Sequence, residues 1–245
     1  MLSLLRKVRK TLISQNKVTH YLAYAIGEII LVVIGILIAL QVNSSYQVAK
    51  TKQLEVKYLK EMRNNLIFDL NDIDFNIRFN ESRYASNEIV LQHLRRRLPY
   101  HDSLDFHLSN LLLTTRSISN TSAYEGLKSR GLEIISNDSL RAEITKMYTF
   151  SFPNAIDFEH VDDHPHQYNI VWPAVTKAIE LDSLGRSAKP INYDAMLNDI
   201  QFKNALATNL TLRNYMLDTY KGLRANVTHL ISQIESELVE LEGKE

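Results

Sequence analysis

Tyr24–Gln41 reads YAIGEIILVVIGILIALQ, an apolar run interrupted by one charged residue, Glu28. Widened to Tyr21–Leu40, it gives 20 residues in which Glu28 is the only ionisable side chain apart from tyrosine. About 20 apolar residues carry a helix across the hydrocarbon of a bilayer. A helix apolar on every side does not suit the surface of a soluble domain. The run therefore predicts a transmembrane helix over 21–42, and the rest of the chain is divided by it.

The flanks give the direction. Residues 1–20 carry Arg6, Lys7, Arg9, Lys10 and Lys17 and no acid. Positive flanks stay in the cytoplasm, so 1–20 is expected there and 43–245 on the far, periplasmic side. Lys50 and Lys52 weaken this asymmetry without reversing it. Leu5, Val8 and Leu12 share a helical face among the cations, which suits a helix lying on the inner leaflet or simply a flank that orients insertion. A cleavable signal peptide has a shorter apolar core ending at small residues. This one ends IALQVN, so an uncleaved signal anchor is expected.

Ala23, Gly27, Gly35 and Ala39 fall on one stripe of the span, and small residues there let membrane helices approach closely. Glu28 adjoins the stripe, about 10 Å from the cytoplasmic boundary at the helical rise per residue. Facing lipid, its carboxylate would cost several kcal/mol. It is expected to hydrogen-bond across helices, to carry a proton or cation in a conducting assembly, or to snorkel to the headgroups.

Composition narrows the remainder. Twenty-eight basic residues balance 28 acidic ones, which argues against a nucleic-acid binder. The absence of cysteine removes disulfides, thiolate metal sites and a cysteine nucleophile. Seven glycines and five prolines favour helices over a turn-rich β fold.

Beyond the span, a long helix is expected from about Tyr46 to Leu98, stopped by Pro99. Leu66, Ile73, Asn80, Asn87 and Leu94 recur every seven residues, and Leu70, Ile77, Tyr84, Leu91 and Leu98 form a second row offset by four. This is a heptad seam, in which Asn80 and Asn87 restrict register and partner number; packing in a bundle gives the same stripe. A second long helix, about 200–242, shows Tyr220, Val227, Ile234 and Leu241 in one row and Leu210, Leu217, Arg224, Ile231 and Leu238 in the other. Antiparallel pairing of the two would give a stalk. Between them a helical cap is expected: a capping box from Ser122 to Glu125, an αL stop at Gly131, and a helix capped by Asp138 or Ser139. The fold class is thus all-α, a single span plus a helical bundle with two long coiled-coil-like helices.

Chemistry is thinly represented. EHVDDHPHQ gathers Glu159, His160, Asp162, Asp163, His164 and His166, side chains able to bind divalent ions, but the spacing matches no zinc-hydrolase signature. Pro165 is expected to break any helix aligning His160 with His164. Arg95, Arg96 and Arg97 suit a solvated helix end, and Trp172 a core anchor. No nucleotide loop or nucleophile elbow is present. Asp-Ser-Leu occurs at Asp102, Asp138 and Asp182, resembling a short periplasmic O-glycosylation motif for Ser103, Ser139 and Ser183; the same tripeptide also caps helices.

SQNKVTHYLAYAIGEIILVVIGILIALQVN and TSAYEGLKSRGLEIISNDSLRAEITKMY, in that order, resemble an uncharacterised membrane-protein family common in Bacteroidota. Members often carry a tryptophan-containing, Asn-rich run after the span, where this chain has Asn43-Ser44-Ser45-Tyr46. The resemblance implies an inner-membrane protein with a periplasmic helical domain and no known reaction, so it assigns no catalytic residue. The expectation is a non-enzymatic envelope module, without cofactor, whose partners are membrane lipids and either further copies of itself or another envelope protein. An ion- or proton-coupled assembly using Glu28 and a metal-dependent periplasmic enzyme using the His/Asp cluster are the alternatives.

Overall fold

In a computed structural model residues 18–243 are described, with side chains from Leu22 onward. The basic segment 1–20 thus lies outside the described side chains. The chain divides into two units, Met1–Leu54 and Glu55–Glu245. Helix α1 (Val18–Arg95) contributes to both.

In the first unit, α1 is the one helix among the described residues long and apolar enough to cross a membrane, and its apolar window is 0 % buried. Side chains such as Leu31 and Leu37 stand free on every side.

The second unit is a helical bundle with one hairpin. After α1 come α2 (Leu104–Ser109) and α3 (Ser122–Arg130). A single helical run then covers 138–178. It comprises α4 (Asp138–Lys146), α5 (Phe152–Asp157), α6 (His164–His166) and α7 (Trp172–Ala178), joined by three π segments, Met147–Ser151, Phe158–Asp163 and Gln167–Val171. Strands β1 (Ile179–Ser183) and β2 (Ser187–Pro190) pair antiparallel around Gly185, whose φ of 72° suits glycine. Helices α8 (Tyr193–Asn198) and α9 (Ile200–Glu242) complete the chain. The hairpin was not expected from the sequence.

Several local expectations are corrected. Helix α1 stops at Arg95, before Pro99, because Arg97 turns left-handed (φ 53°). The Leu98 N–H then bonds the His93 carbonyl (3.2 Å) and the Arg97 N–H the Leu94 carbonyl (3.2 Å), a Schellman termination. Thr121, not Ser122, precedes α3 and makes no side-chain cap; the Ser122 hydroxyl instead bonds Asn120. Gly131 has positive φ but extended ψ (113°, 125°), so it is no αL stop. Asn137 caps α4 by accepting from the Leu140 N–H (3.1 Å), which leaves Ser139 exposed.

The two long helices bury the first heptad row as spaced: Leu66, Ile73, Asn80, Asn87 and Leu94 on α1; Tyr220, Val227, Ile234 and Leu241 on α9. The second rows are mixed. Ile77 and Leu91 on α1 and Leu217 and Leu238 on α9 are buried at the expected offset of four, while Met62, Asp69, Asn76, Arg83 and Val90 on α1 and Asn209, Met216, Leu223 and Leu230 on α9 are buried at an offset of three. Arg224 is exposed and pairs with Asp74 (2.6 Å).

The run 138–178 shows why its π segments exist. Its inward residues include Ala155, Glu159, Asp163, Gln167, Val171 and Val175, each four after the last. In an α-helix four residues overshoot a full turn by about 40°, so five such steps would wind the row roughly 200° around the axis. A π turn closes i→i+5 bonds and absorbs an extra residue. Two π segments within this stretch bring it close to five turns, and the row stays on one side. Pro153, Pro165 and Pro173 each stand two residues past a π segment. Proline cannot donate to the i−4 carbonyl and crowds it, and the widened turn relieves both problems. Contrary to the sequence expectation, Pro165 does not break the helix.

Candidate functional site

Three helices turn polar on their inner faces over one stretch each: Asp69 to Asn87 on α1, Glu159 to Gln167 on the 138–178 run, and Asn209 and Arg213 on α9. Between them runs residues 113–121, a strap with no regular structure. The strap is only partly buried, with Thr115 inside and Arg116 and Ile118 exposed. Where it lies against the layer its N–H and C=O groups need partners that no ladder supplies. The polar layer supplies them.

The strap's carbonyls take cations and amides. Leu113 accepts from Arg213 Nη2 (3.0 Å) and Thr115 from His164 Nε2 (3.1 Å). A carbonyl only accepts, so the Nε2 of His164 carries the proton. The strap's N–H groups take carboxylates. Ser117 donates to both oxygens of Glu159 (2.9 Å each), Ile118 to Asp72 (3.0 Å) and Asn120 to Asp69 (2.9 Å). Outside the strap, Glu55 holds the Ser136 N–H in the same way (2.7 Å).

Arg213 sits at the centre of the layer, 0 % exposed. Its Nη1 donates to Asn80 Oδ1 (2.6 Å) and lies 3.7 Å from Asp163 Oδ1, itself 0 % exposed. Asp163 also accepts from the Thr114 hydroxyl. Asn80 donates onward to Thr115 Oγ1 (3.0 Å) and to the Asn76 carbonyl (2.8 Å). Gln167 donates to Asn209 (2.5 Å), and the Tyr220 hydroxyl to Glu159 (2.7 Å).

Burial sets the electrostatics. It pushes the Asp69 carboxyl up to about 6, against the pull of the Asn120 N–H and with the push of Asp72. Burial, with neighbouring Arg213, lowers the Arg83 guanidinium to about 10; the same guanidinium lies 3.7 Å over the Phe79 ring. Tyr220 is raised by burial and then by Glu159. Arg213 itself is lowered by burial, with Asp163 opposing.

The His/Asp cluster disperses. Asp163 points into the layer and Asp162 into solvent. His166 meets Thr208 (3.3 Å) and is held below the usual imidazole range by burial. His160 and His164 do come together, edge to face with ring centroids 5.2 Å apart. Among the described residues no three such side chains converge as metal ligands. Asn87 donates to the Leu206 carbonyl on α9 (2.7 Å), so both heptad asparagines are engaged within the chain. Ser103 and Ser139 are exposed and Ser183 is half-buried beside the hairpin turn.

In the N-terminal unit, Ala23, Gly27, Glu28, Gly35 and Ala39 are all exposed. A Cβ placed on Gly27 or Gly35 would meet nothing within 4 Å.

Sequence reasoning singled out Glu159 only as a member of the polar cluster and missed Arg213, Gln167 and Asn209. The signal was present: Arg213 lies seven residues before Tyr220, in a row that continues through Val227 and Ile234.

A family model described as a family of unknown function, DUF6090, matches residues 28–214. No curated protein matches, and no solved structure does.

Proposed function

The chain belongs to that family of unknown function, and from this and its two units we propose a single-span protein of the bacterial inner membrane that acts as a binding and self-associating module of the envelope. Residues 21–42 cross the bilayer, 1–20 lie in the cytoplasm, and 43–245 fold in the periplasm. One observation carries this reading: the apolar window of α1 is 0 % buried and needs a non-aqueous surrounding.

Glu28 and the stripe Ala23, Gly27, Gly35 and Ala39 form the contact between spans. The glycines leave room for a second backbone. Glu28 hydrogen-bonds across the contact, which removes the cost of a lipid-facing carboxyl. The bundle acts as a rigid support whose interior is fixed by the polar layer.

The native mass of the full chain in mild detergent tests this. An oligomer is expected, dispersed by Gly27→Leu with Gly35→Leu and by Glu28→Leu, and retained by Glu28→Gln. A monomer, or an oligomer indifferent to all three changes, contradicts the contact.

A further inference from the structure

On the outer side of the polar layer is a cavity of about 280 Å³ lined by Thr114, Thr115, Arg116, His160, His164 and Tyr168. No carboxylate lines it. Arg116 is exposed, and among the described residues its guanidinium makes no ion pair or side-chain hydrogen bond. The strap backbone on either side of it is fixed: the Thr115 carbonyl by His164 and the Ser117 N–H by Glu159. The base of the arginine is therefore held while its head is free.

The opposite wall is an aromatic ladder. His160, His164, Tyr168 and Trp172 follow one another at four-residue spacing, with centroid separations of 5.2, 6.1 and 6.1 Å. Each stands one residue after an inward member of the run, namely Glu159, Asp163, Gln167 or Val171. The π segments that keep the inward row straight thus keep the ladder straight too. They set two imidazoles and a phenol opposite the arginine.

We propose that this cavity binds a phosphate-type group, as inorganic phosphate or a small phosphomonoester. A guanidinium offers a fork of N–H donors that matches oxyanions. His164 has spent its Nε2 proton on the Thr115 carbonyl, which leaves Nδ1 free for a ligand O–H. A hydrogen phosphate supplies both acceptor oxygens and an O–H. A divalent cation fits poorly, since Arg116 would repel it and no carboxylate compensates. The volume suits a small ligand, being at the lower edge of typical ligand cavities. The proposal is independent of how the spans associate.

Trp172, the only tryptophan in the chain, adjoins Tyr168 and reports on the site. The full chain in mild detergent is titrated with inorganic phosphate while chloride holds ionic strength constant, and Trp172 emission is followed. A saturable change is expected. Arg116→Ala weakens it at least about tenfold, the loss of one charge-assisted contact. Arg116→Lys retains part of it, and the thermal midpoint of both variants matches the parent because Arg116 has no partner to lose. Four results would overturn the proposal: an equal response to chloride; undiminished binding in Arg116→Glu; a response confined to proteoliposomes containing phosphatidylglycerol; or one produced by zinc and not by phosphate.

Discussion

Arg213 and Asp163 face each other at 3.7 Å with both side chains fully excluded from solvent. Removing one member of such a pair strands the other and typically costs about 3–5 kcal/mol. Arg213→Met also unpairs Asn80 Oδ1 and the Leu113 carbonyl. Denaturant unfolding of the full chain in detergent should show a loss in that range for Arg213→Met. Asp163→Leu combined with Arg213→Met should lose less than the sum of the two single changes. Strict additivity would mean the two groups are not coupled.

The two heptad asparagines should behave differently. Asn80 receives Arg213 and bonds the strap through Thr115, so Asn80→Leu leaves a buried guanidinium short of an acceptor and should cost about 2–3 kcal/mol. Asn87 makes one bond, to a helix carbonyl, and its Oδ1 has no partner. Asn87→Leu should therefore stay within about 1 kcal/mol of the parent. Equal losses at both sites would show that the layer is not organised around Arg213.

Asp69 gives a pH signature. Its carboxyl is held up to about 6 against an ordinary 3.8. Between those values the native state keeps a proton that the unfolded chain has released. Its contribution to stability therefore falls as pH rises through the window, and the full penalty stands above it. Asp69→Asn keeps an acceptor for the Asn120 N–H and removes the titration. The variant should match the parent near pH 4 and exceed it at pH 7. His107 and His166, both lowered by burial, act in the opposite sense as pH rises, so the measurement is the difference between variant and parent. A difference that does not change with pH would contradict the assignment.

The π segments predict which deletions the fold absorbs. Val161 is exposed within Phe158–Asp163. Deleting it, with Pro165→Ala so that the restored α turn is unobstructed, lets the π turn relax to α while the flanks keep their faces. Deleting exposed Asn154, inside α5, has no π turn of its own to absorb it and rotates one flank by about 100°. Circular dichroism and thermal unfolding should show the first folded and the second severely destabilised. The reverse order would sink this account of the run.

The helical class and the long apolar segment were legible because both rest on short-range periodicity. So was α9, expected at about 200–242 and found at Ile200–Glu242. The inner rows were only half legible: a spacing of seven fixes one row, while the offset of its partner depends on what lies opposite. Leu210 and Asn209, or Leu70 and Asp69, compete for the same seam. Hydropathy favours leucine, yet Asp69 is taken by the Asn120 N–H of the strap and Asn209 by the Gln167 amide. Those demands are set by residues 51 and 42 positions away and leave no local trace. The fate of His160, Asp163 and His166 was hidden for a related reason. Proline argues against a helix, and only the π turns, which obey no simple residue code, allow Pro165 to stay inside one.

The most direct test of the central claim is alkaline carbonate extraction of membranes from cells making the full chain. The account predicts that the intact polypeptide stays in the membrane pellet and is released only by detergent. Recovery of the full-length chain in the aqueous supernatant without detergent would contradict it.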